Sequence, residues 1–153
     1  MSTTYGDRAE ALFRQGYNCA QSVFAAFADL LDMEESYALR LASSFGGGVG
    51  RLREICGAVS GMEMVCGVLY GYDTSSDDQR KAQHYARVQA LAFAFREKNG
   101  SYLCRDLLGL TETNSSPIPS PRTAQYYKDR DCAAFVRCAA ELMEEYIKNH
   151  PYK

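Results

Sequence analysis

Residues 43–71, SSFGGGVGRLREICGAVSGMEMVCGVLYG, decide how the whole chain is read. Eight of these residues are glycine and two are cysteine. A glycine loop followed by an apolar run has two readings. It is a phosphate-binding loop between strand and helix, or it is a turn leading into a bundle helix. The first lacks its signature, because no GK[ST] follows the loop and nothing before it reads as a strand. The run from Cys56 to about Tyr70 instead predicts a helix, ended by Gly71. Gly57, Gly61 and Gly67 fall inside it, where each costs about 1 kcal/mol relative to alanine. Gly57 and Gly61 are four residues apart and share a face, so a second helix backbone can come close there. That approach either brings Cys56 near another thiol or is tight packing alone. The loop FGGGVG, with Arg51 and Arg53 after it, also suits a backbone nest for an anion.

Helical periodicity continues on both sides. Residues 4–15 place Ala9, Leu12 and Phe13 on one face, and Gly16 is a stop. Asn18 caps a second helix carrying Val23, Phe24, Phe27, Leu30 and Leu31. Asp32, with Glu35 as capping-box partner, predicts a third helix to about Ser44 that buries Tyr37, Ala38, Leu41 and Ala42. Residues 77–98 form the longest periodic segment, with Ala82, Tyr85, Ala86, Val88, Gln89, Ala92, Phe93 and Phe95 as its apolar positions, ended by Asn99-Gly100. Ser101 caps a short helix, YLCRDLLG. Residues 109–124 hold three of the four prolines and read as a long loop, a kind of segment that is often functional. The last helix, from about Asp131 to Asn149, turns Phe135, Val136, Ala139, Leu142, Met143 and Tyr146 inward. No period of two persists anywhere, and no internal repeat is found. The expectation is an all-α, single-domain bundle of about six helices spanning residues 1–153.

Composition narrows the function. The chain has 153 residues, 46% of them apolar, which suits one compact core. Seventeen basic and nineteen acidic residues give a net charge of −2, not the basic footprint of a nucleic-acid binder. The N-terminal MSTTYGDRAEALF does not read as a secretory signal, and no run reaches the ~20 apolar residues of a membrane span. The expected location is therefore cytoplasmic. Thiols are normally kept reduced there, so six cysteines point to chemistry or metal before a disulfide framework.

Four cysteines share a setting. Cys19 follows Asn18, Cys56 opens the glycine-bearing helix, Cys104 follows Ser101 closely, and Cys132 follows Asp131. Each lies in or near a first helical turn. Unpaired N–H groups and the dipole favour thiolate there. Small cysteines that merely pack at helix ends are the plain alternative. Cys66 and Cys138 sit mid-helix and read as core or spare thiols. Cys138 is also about 120° around the helix from Cys132. Histidines are few: His84, with Arg80 rather than an acid at i−4, reads as a surface or half-buried side chain. No CxxC, HExxH or Glu-x-x-His is present, so zinc-ribbon, metalloprotease and di-iron readings fail.

GYNCAQSVF (16–24), FGGGVGRLREICGAVSG (45–61), SYLCRDLLG (101–109) and RDCAAFVRCAAEL (130–142) resemble, in order, the blocks of the C_GCAxxG_C_C family, small proteins named for their cysteine pattern. The resemblance covers nearly the whole chain and places the shared cysteines on Cys19, Cys56, Cys104 and Cys132. It implies an all-helical fold and redox activity, but no particular reaction or substrate. Family members are often associated with transporter loci, which implies a redox partner in that setting. The leading expectation is dithiol/disulfide or electron-carrier chemistry centred on Cys56, with Cys19, Cys104 or Cys132 as its partner. The helix terminus should outweigh burial by Ile55 and Val59 and hold the Cys56 thiolate. A second expectation is a metal site in which Cys19, Cys56, Cys104 and Cys132 ligate zinc or an iron–sulfur cluster. A third is a helical interaction module with packed cysteines. A homo-oligomer is compatible with the sequence, which leaves the oligomeric state open.

Overall fold

A computed structural model describes residues 4–111 and 116–152. Among them the chain is all-α: no strand forms, and one isolated bridge pairs Ile55 with Leu103. The helices are α1 (Tyr5–Arg14), α2 (Cys19–Ala26), α3 (Glu35–Ala42), α4 (Gly46–Val49), α5 (Gly57–Tyr70), α6 (Asp78–Asn99), α7 (Cys104–Leu107), α8 (Ala124–Asp129) and α9 (Cys132–Asn149). Six of them have seven or more residues, in line with the expected bundle. Part of the proline-rich loop, residues 112–115, lies outside the described residues.

The centre is α2. Its sequence CAQSVFAA is apolar on almost every side, and Ala20, Ser22, Val23, Phe24, Ala25 and Ala26 are all buried. A helix with no polar face must be surrounded, and α2 packs against α1, α3, α5 and α9. Phe13, Phe24, Phe27, Phe95, Met62 and Met143 fill the space between these helices. Each such side chain contributes about 1.5–3 kcal/mol on burial.

Caps set the register of α2. The Asn18 side chain accepts the Gln21 N–H, and the Gln21 side chain accepts the Asn18 N–H. Asn18 also donates to the Ser43 carbonyl, and Gln21 to that of Leu39. One cap therefore starts α2 and ties it to the end of α3.

Several local expectations are corrected. The Asp32–Glu35 box does not form: Glu34 is the N-cap of α3 without a side-chain bond, and Asp32 takes a left-handed φ of 53°. The stripe through Leu30 and Leu31 is not one helix, because α2 stops at Ala26 and turns follow. On α3 only Ala38 and Ala42 are buried, whereas Tyr37 and Leu41 are exposed. On α6 the buried residues are His84, Leu91 and Phe95, while Ala82, Tyr85, Ala86, Gln89 and Phe93 face out. Alanine and tyrosine on this helix give no usable polarity contrast, so periodicity selects the wrong face. His84, expected at the surface or half-buried, is more enclosed than that, at 9% exposure: it packs against Tyr72 and its Nδ1 lies 3.1 Å from the Arg87 guanidinium. The short helix α8, between the proline-rich segment and α9, falls where periodicity gives no helix.

Two of the α5 glycines have the contact that the sequence suggests. A Cβ on Gly57 would sit 2.9 Å from the Phe45 carbonyl oxygen and 3.1 Å from Cys19 Cβ. One on Gly61 would sit 2.8 Å from the Ala20 carbonyl oxygen. The backbones of α2 and α5 thus meet at a face that only hydrogen can occupy. Gly67 has no such reason, since nothing lies within 4 Å of a Cβ there.

Candidate thiol site

Four cysteines on four different helices line one small cavity. Cys19, Cys104 and Cys132 are the first residues of α2, α7 and α9, and Cys56 is the N-cap of α5, one position earlier than expected. The cavity has a volume of ≈ 60 Å³, and its wall also includes Arg53, Arg122, Arg130 and Tyr126. Cys56, Cys104 and Cys132 are 5%, 8% and 8% exposed, so the sulfurs are shielded without being sealed. Cys66 and Cys138 lie elsewhere: Cys66 is fully buried, and Cys138 accepts from Asn99 Nδ2 at 3.5 Å.

Each cysteine is placed by an identifiable device. Asn18 caps α2 just before Cys19. Cys56 and Cys104 are tied together by the bridge: the Cys56 N–H donates to the Tyr102 carbonyl at 2.8 Å, and the Cys104 N–H to that of Glu54 at 2.7 Å. These bonds make Cys56 and Cys104 diagonal neighbours on one face of the bridge. Cys132 starts α9, where the Phe135 N–H donates back to the Asp131 carbonyl.

The glycine loop packs directly on this group. It is not a simple helix break. Gly47 (φ 67°, ψ 25°), Gly48 (φ 69°, ψ 49°) and Gly50 (φ 57°, ψ 34°) are left-handed, and Val49 and Arg51 between and after them have φ of 70° and 71°. L-residues seldom visit this region in succession, which is why glycines dominate the stretch. Hydrogen bonds from the Arg53 and Glu54 N–H groups to the Gly47 and Gly48 carbonyls close the turn. A Cβ on Gly48 would lie 2.7 Å from Cys104 Cβ. The turn thereby buries Arg53, which is 7% exposed and reaches Cys104 Sγ with Nη1 at 3.6 Å.

Electrostatics separates the four thiols. Cys132 is held below the usual thiol value, first because the Cys19 thiol donates a hydrogen bond to it, and then through Arg130, Arg122 and Arg53, against the opposing effect of burial. Cys19 is correspondingly pushed well up: it keeps the proton that it shares with Cys132, and burial and the neighbouring sulfurs add to this. Cys56 is pushed up to about 12 by burial, although the Ala58 and Val59 N–H groups pull the other way. Burial also raises Cys104, opposed by Arg53. The expectation that the helix terminus would hold the Cys56 thiolate is therefore overturned. The N–H groups of α5 do point at Cys56, but desolvation outweighs them. Of the four thiols, Cys132 alone is shifted toward the thiolate.

The donor set of four thiols suits zinc or an iron–sulfur cluster by softness. Its placement does not: among the described residues, no three Cys, His, Asp or Glu side chains form a group that could hold a metal ion.

Sequence reasoning misses Arg122 and Arg130. Arg122 donates from Nη1 to the Phe13 carbonyl and from Nη2 to that of Tyr17, and it stacks on Phe13. Arg130 stacks on Tyr126. The only signal is position, since Arg130 lies two residues before Cys132.

A family model matches residues 17–146, the span that contains all four cysteines of the site, and its description reads "Putative redox-active protein (C_GCAxxG_C_C)". The chain belongs to the C_GCAxxG_C_C family. No curated protein and no solved structure matches the chain. No helix among the described residues is long and apolar enough to cross a membrane.

Proposed function

We propose that this member of the family works by thiol–disulfide exchange, with Cys132 as the attacking thiolate and Cys19 as the resolving thiol. The observation that supports this reading is geometric: Cys19 and Cys132 open α2 and α9 onto one small cavity whose wall also carries Arg53, Arg122 and Arg130, and the Cys132 thiol is accordingly held low while that of Cys19 is pushed up. The thiolate is the nucleophile in exchange. Cys132 Sγ⁻ attacks one sulfur of a disulfide R–S–S–R, the S–S bond breaks, and R–S⁻ leaves with the electron pair. Cys19 Sγ gives up its proton to the departing thiolate or to water and attacks Cys132 Sγ. The second R–S⁻ leaves, and a Cys19–Cys132 disulfide remains. The protein has lost two electrons and the substrate has gained them. Arg130, Arg122 and Arg53 favour the thiolate at the start of this sequence. Cys56 and Cys104 stay protonated near neutral pH.

The test is mass mapping after brief exposure of the reduced protein to a low-molecular-weight disulfide. The expected first product is a Cys19–Cys132 bond, with Cys56 and Cys104 as free thiols. In Cys132→Ser, Cys19 should form no intramolecular bond. First oxidation at Cys56 and Cys104, or a stoichiometric thiolate-bound metal in anaerobically purified protein, would overturn this reading.

A further inference from the structure

Beside the cysteine cavity lies a second, larger cleft of ≈ 400 Å³. The left-handed glycine turn forms one wall, and the segment Pro117–Tyr126 with Arg130 forms the other. Arg51, Arg53, Arg122 and Arg130 all line it, and among the described residues no aspartate or glutamate does. Arg53, Arg122 and Arg130 also line the cysteine cavity, so the two spaces share a wall.

These cations are poorly compensated. The ion pairs among the described residues engage Arg8, Arg14, Arg105, Arg137 and Lys148, and none engages the four cleft arginines. Arg122 is satisfied by carbonyls and aromatic rings. The others have no carbonyl or carboxylate partner for the guanidinium among the described residues. Arg51 and Arg130 each reach the Ser120 hydroxyl, both at 3.4 Å, Arg130 also lies over the Tyr126 ring, and the buried Arg51 Nε has no hydrogen-bond partner among the described residues. Arg53 has a thiol sulfur as its side-chain partner. Burial and the nearby Arg53 and Arg130 charges make the Arg51 cation less favourable than usual. Like charges held together in a recess, one of them almost fully buried, need an anion. One thiolate at Cys132 balances only part of this charge. The chain also holds Val49 and Arg51 in left-handed backbone to build the wall, and such strain collects where a ligand is held.

We propose that the Arg51–Arg53–Arg130 cleft binds the carboxylate end of a small anionic disulfide and so delivers its S–S bond to the cysteine cavity. The volume suits a small organic ligand. Several separated guanidinium groups suit a ligand carrying more than one carboxylate, since each planar fork can take a carboxylate in a bidentate manner. The proposal rests on the exchange reading above, and the chemistry is the same two-electron exchange. What it adds is the substrate class, and it assigns Arg51 to substrate binding.

The experiment compares two aromatic disulfides on the reduced full-length chain by stopped-flow release of the coloured thiolate, with peptide mapping to assign the site. One reagent is 5,5′-dithiobis(2-nitrobenzoate), which carries carboxylates; the other is the neutral 4,4′-dithiodipyridine. The readout is the ratio of their rate constants at the Cys19–Cys132 pair. In Arg51→Gln that ratio should fall about tenfold or more, equivalent to about 1.4 kcal/mol of lost anion preference. Arg51→Lys, which keeps the charge, should retain most of it. The ratio should also fall as salt is raised, because exposed charges are screened over about 10 Å at 0.1 M. An unchanged ratio in Arg51→Gln would overturn the proposal even with exchange intact. If neither reagent reacts at the pair, the exchange reading fails, and calorimetry with inorganic phosphate judges the cleft alone: millimolar binding lost in Arg51→Gln supports an anion subsite, and no binding refutes it. Micromolar phosphate that blocks the carboxylate reagent at matched ionic strength would mark an inorganic oxyanion site instead and overturn the assignment to carboxylates.

Discussion

Gly61 and Gly67 lie in one helix, and alanine at the two positions should act with opposite sign. Either substitution gains about 1 kcal/mol of helix propensity, because glycine is the more flexible residue in the unfolded chain. At Gly67 nothing lies within 4 Å of the new methyl, so most of that gain should survive. At Gly61 the methyl would sit 2.8 Å from the Ala20 carbonyl oxygen, 3.0 Å from Val23 Cβ and 3.3 Å from the Phe24 nitrogen. Two of these three neighbours are backbone atoms of the fully surrounded α2, which cannot step aside. Overpacking of this kind costs roughly 1–3 kcal/mol, and the rigid neighbours place Gly61 in the upper part of that range. The net expectation is stabilisation by about 0.5–1 kcal/mol for Gly67→Ala and destabilisation by about 1–2 kcal/mol for Gly61→Ala. For a chain of this size the two melting temperatures should differ by roughly 5–10 °C. The assay is thermal and urea unfolding of the reduced proteins, followed by circular dichroism. Equal stabilisation by both substitutions would show that α2 and α5 do not meet closely, and the route by which Gly57 brings Cys56 toward Cys19 would fall with it.

Cys132 should alkylate with iodoacetamide faster near neutral pH than Cys56, whose thiol burial pushes up to about 12; mapping that finds Cys56 the faster of the two would make Cys56 the nucleophile instead. Glu63 on α5 carries two buried carboxyl oxygens with no hydrogen-bond partner, and burial raises its pKa from 4.5 to about 8. The folded state therefore holds this proton more tightly than the unfolded one, so its contribution to stability is complete below 4.5 and is lost as pH rises through 8. The slope should approach about 1.4 kcal/mol per pH unit within that window, and Glu63→Gln should flatten it; an unaltered stability profile in the variant would refute the assignment. Asn18→Ala should cost about 1 kcal/mol through the lost cap, and because the same side chain holds the Ser43 carbonyl it should also slow formation of the Cys19–Cys132 bond; loss of stability with unaltered oxidation would separate the cap from the site.

The helical class, most helix ends and the grouping of four of the six cysteines are legible in the amino-acid order alone. These are local matters: caps such as Asn18, stops such as Gly71 and Gly100, and the repeated placement of cysteine at a helix start are written in a few adjacent residues. The spacing of Gly57 and Gly61 likewise calls for a close neighbour, but does not say that the neighbour is α2. The remaining features depend on tertiary packing, because burial and charge at a point come from what distant segments bring to it. The buried face of α6 is misread from periodicity, since its many alanines and tyrosines are tolerated on either side until a partner covers one. The choice of Cys132 over Cys56 as thiolate is not legible either. Every candidate sits at a helix start, and the difference comes from the Cys19 thiol on one side and from Arg53, Arg122 and Arg130 on the other. The glycine turn FGGGVG shows both halves at once. Its composition announces an unusual backbone, but only the folded chain shows that this backbone presses Arg53 onto Cys104 and lines a cationic cleft next to the thiols.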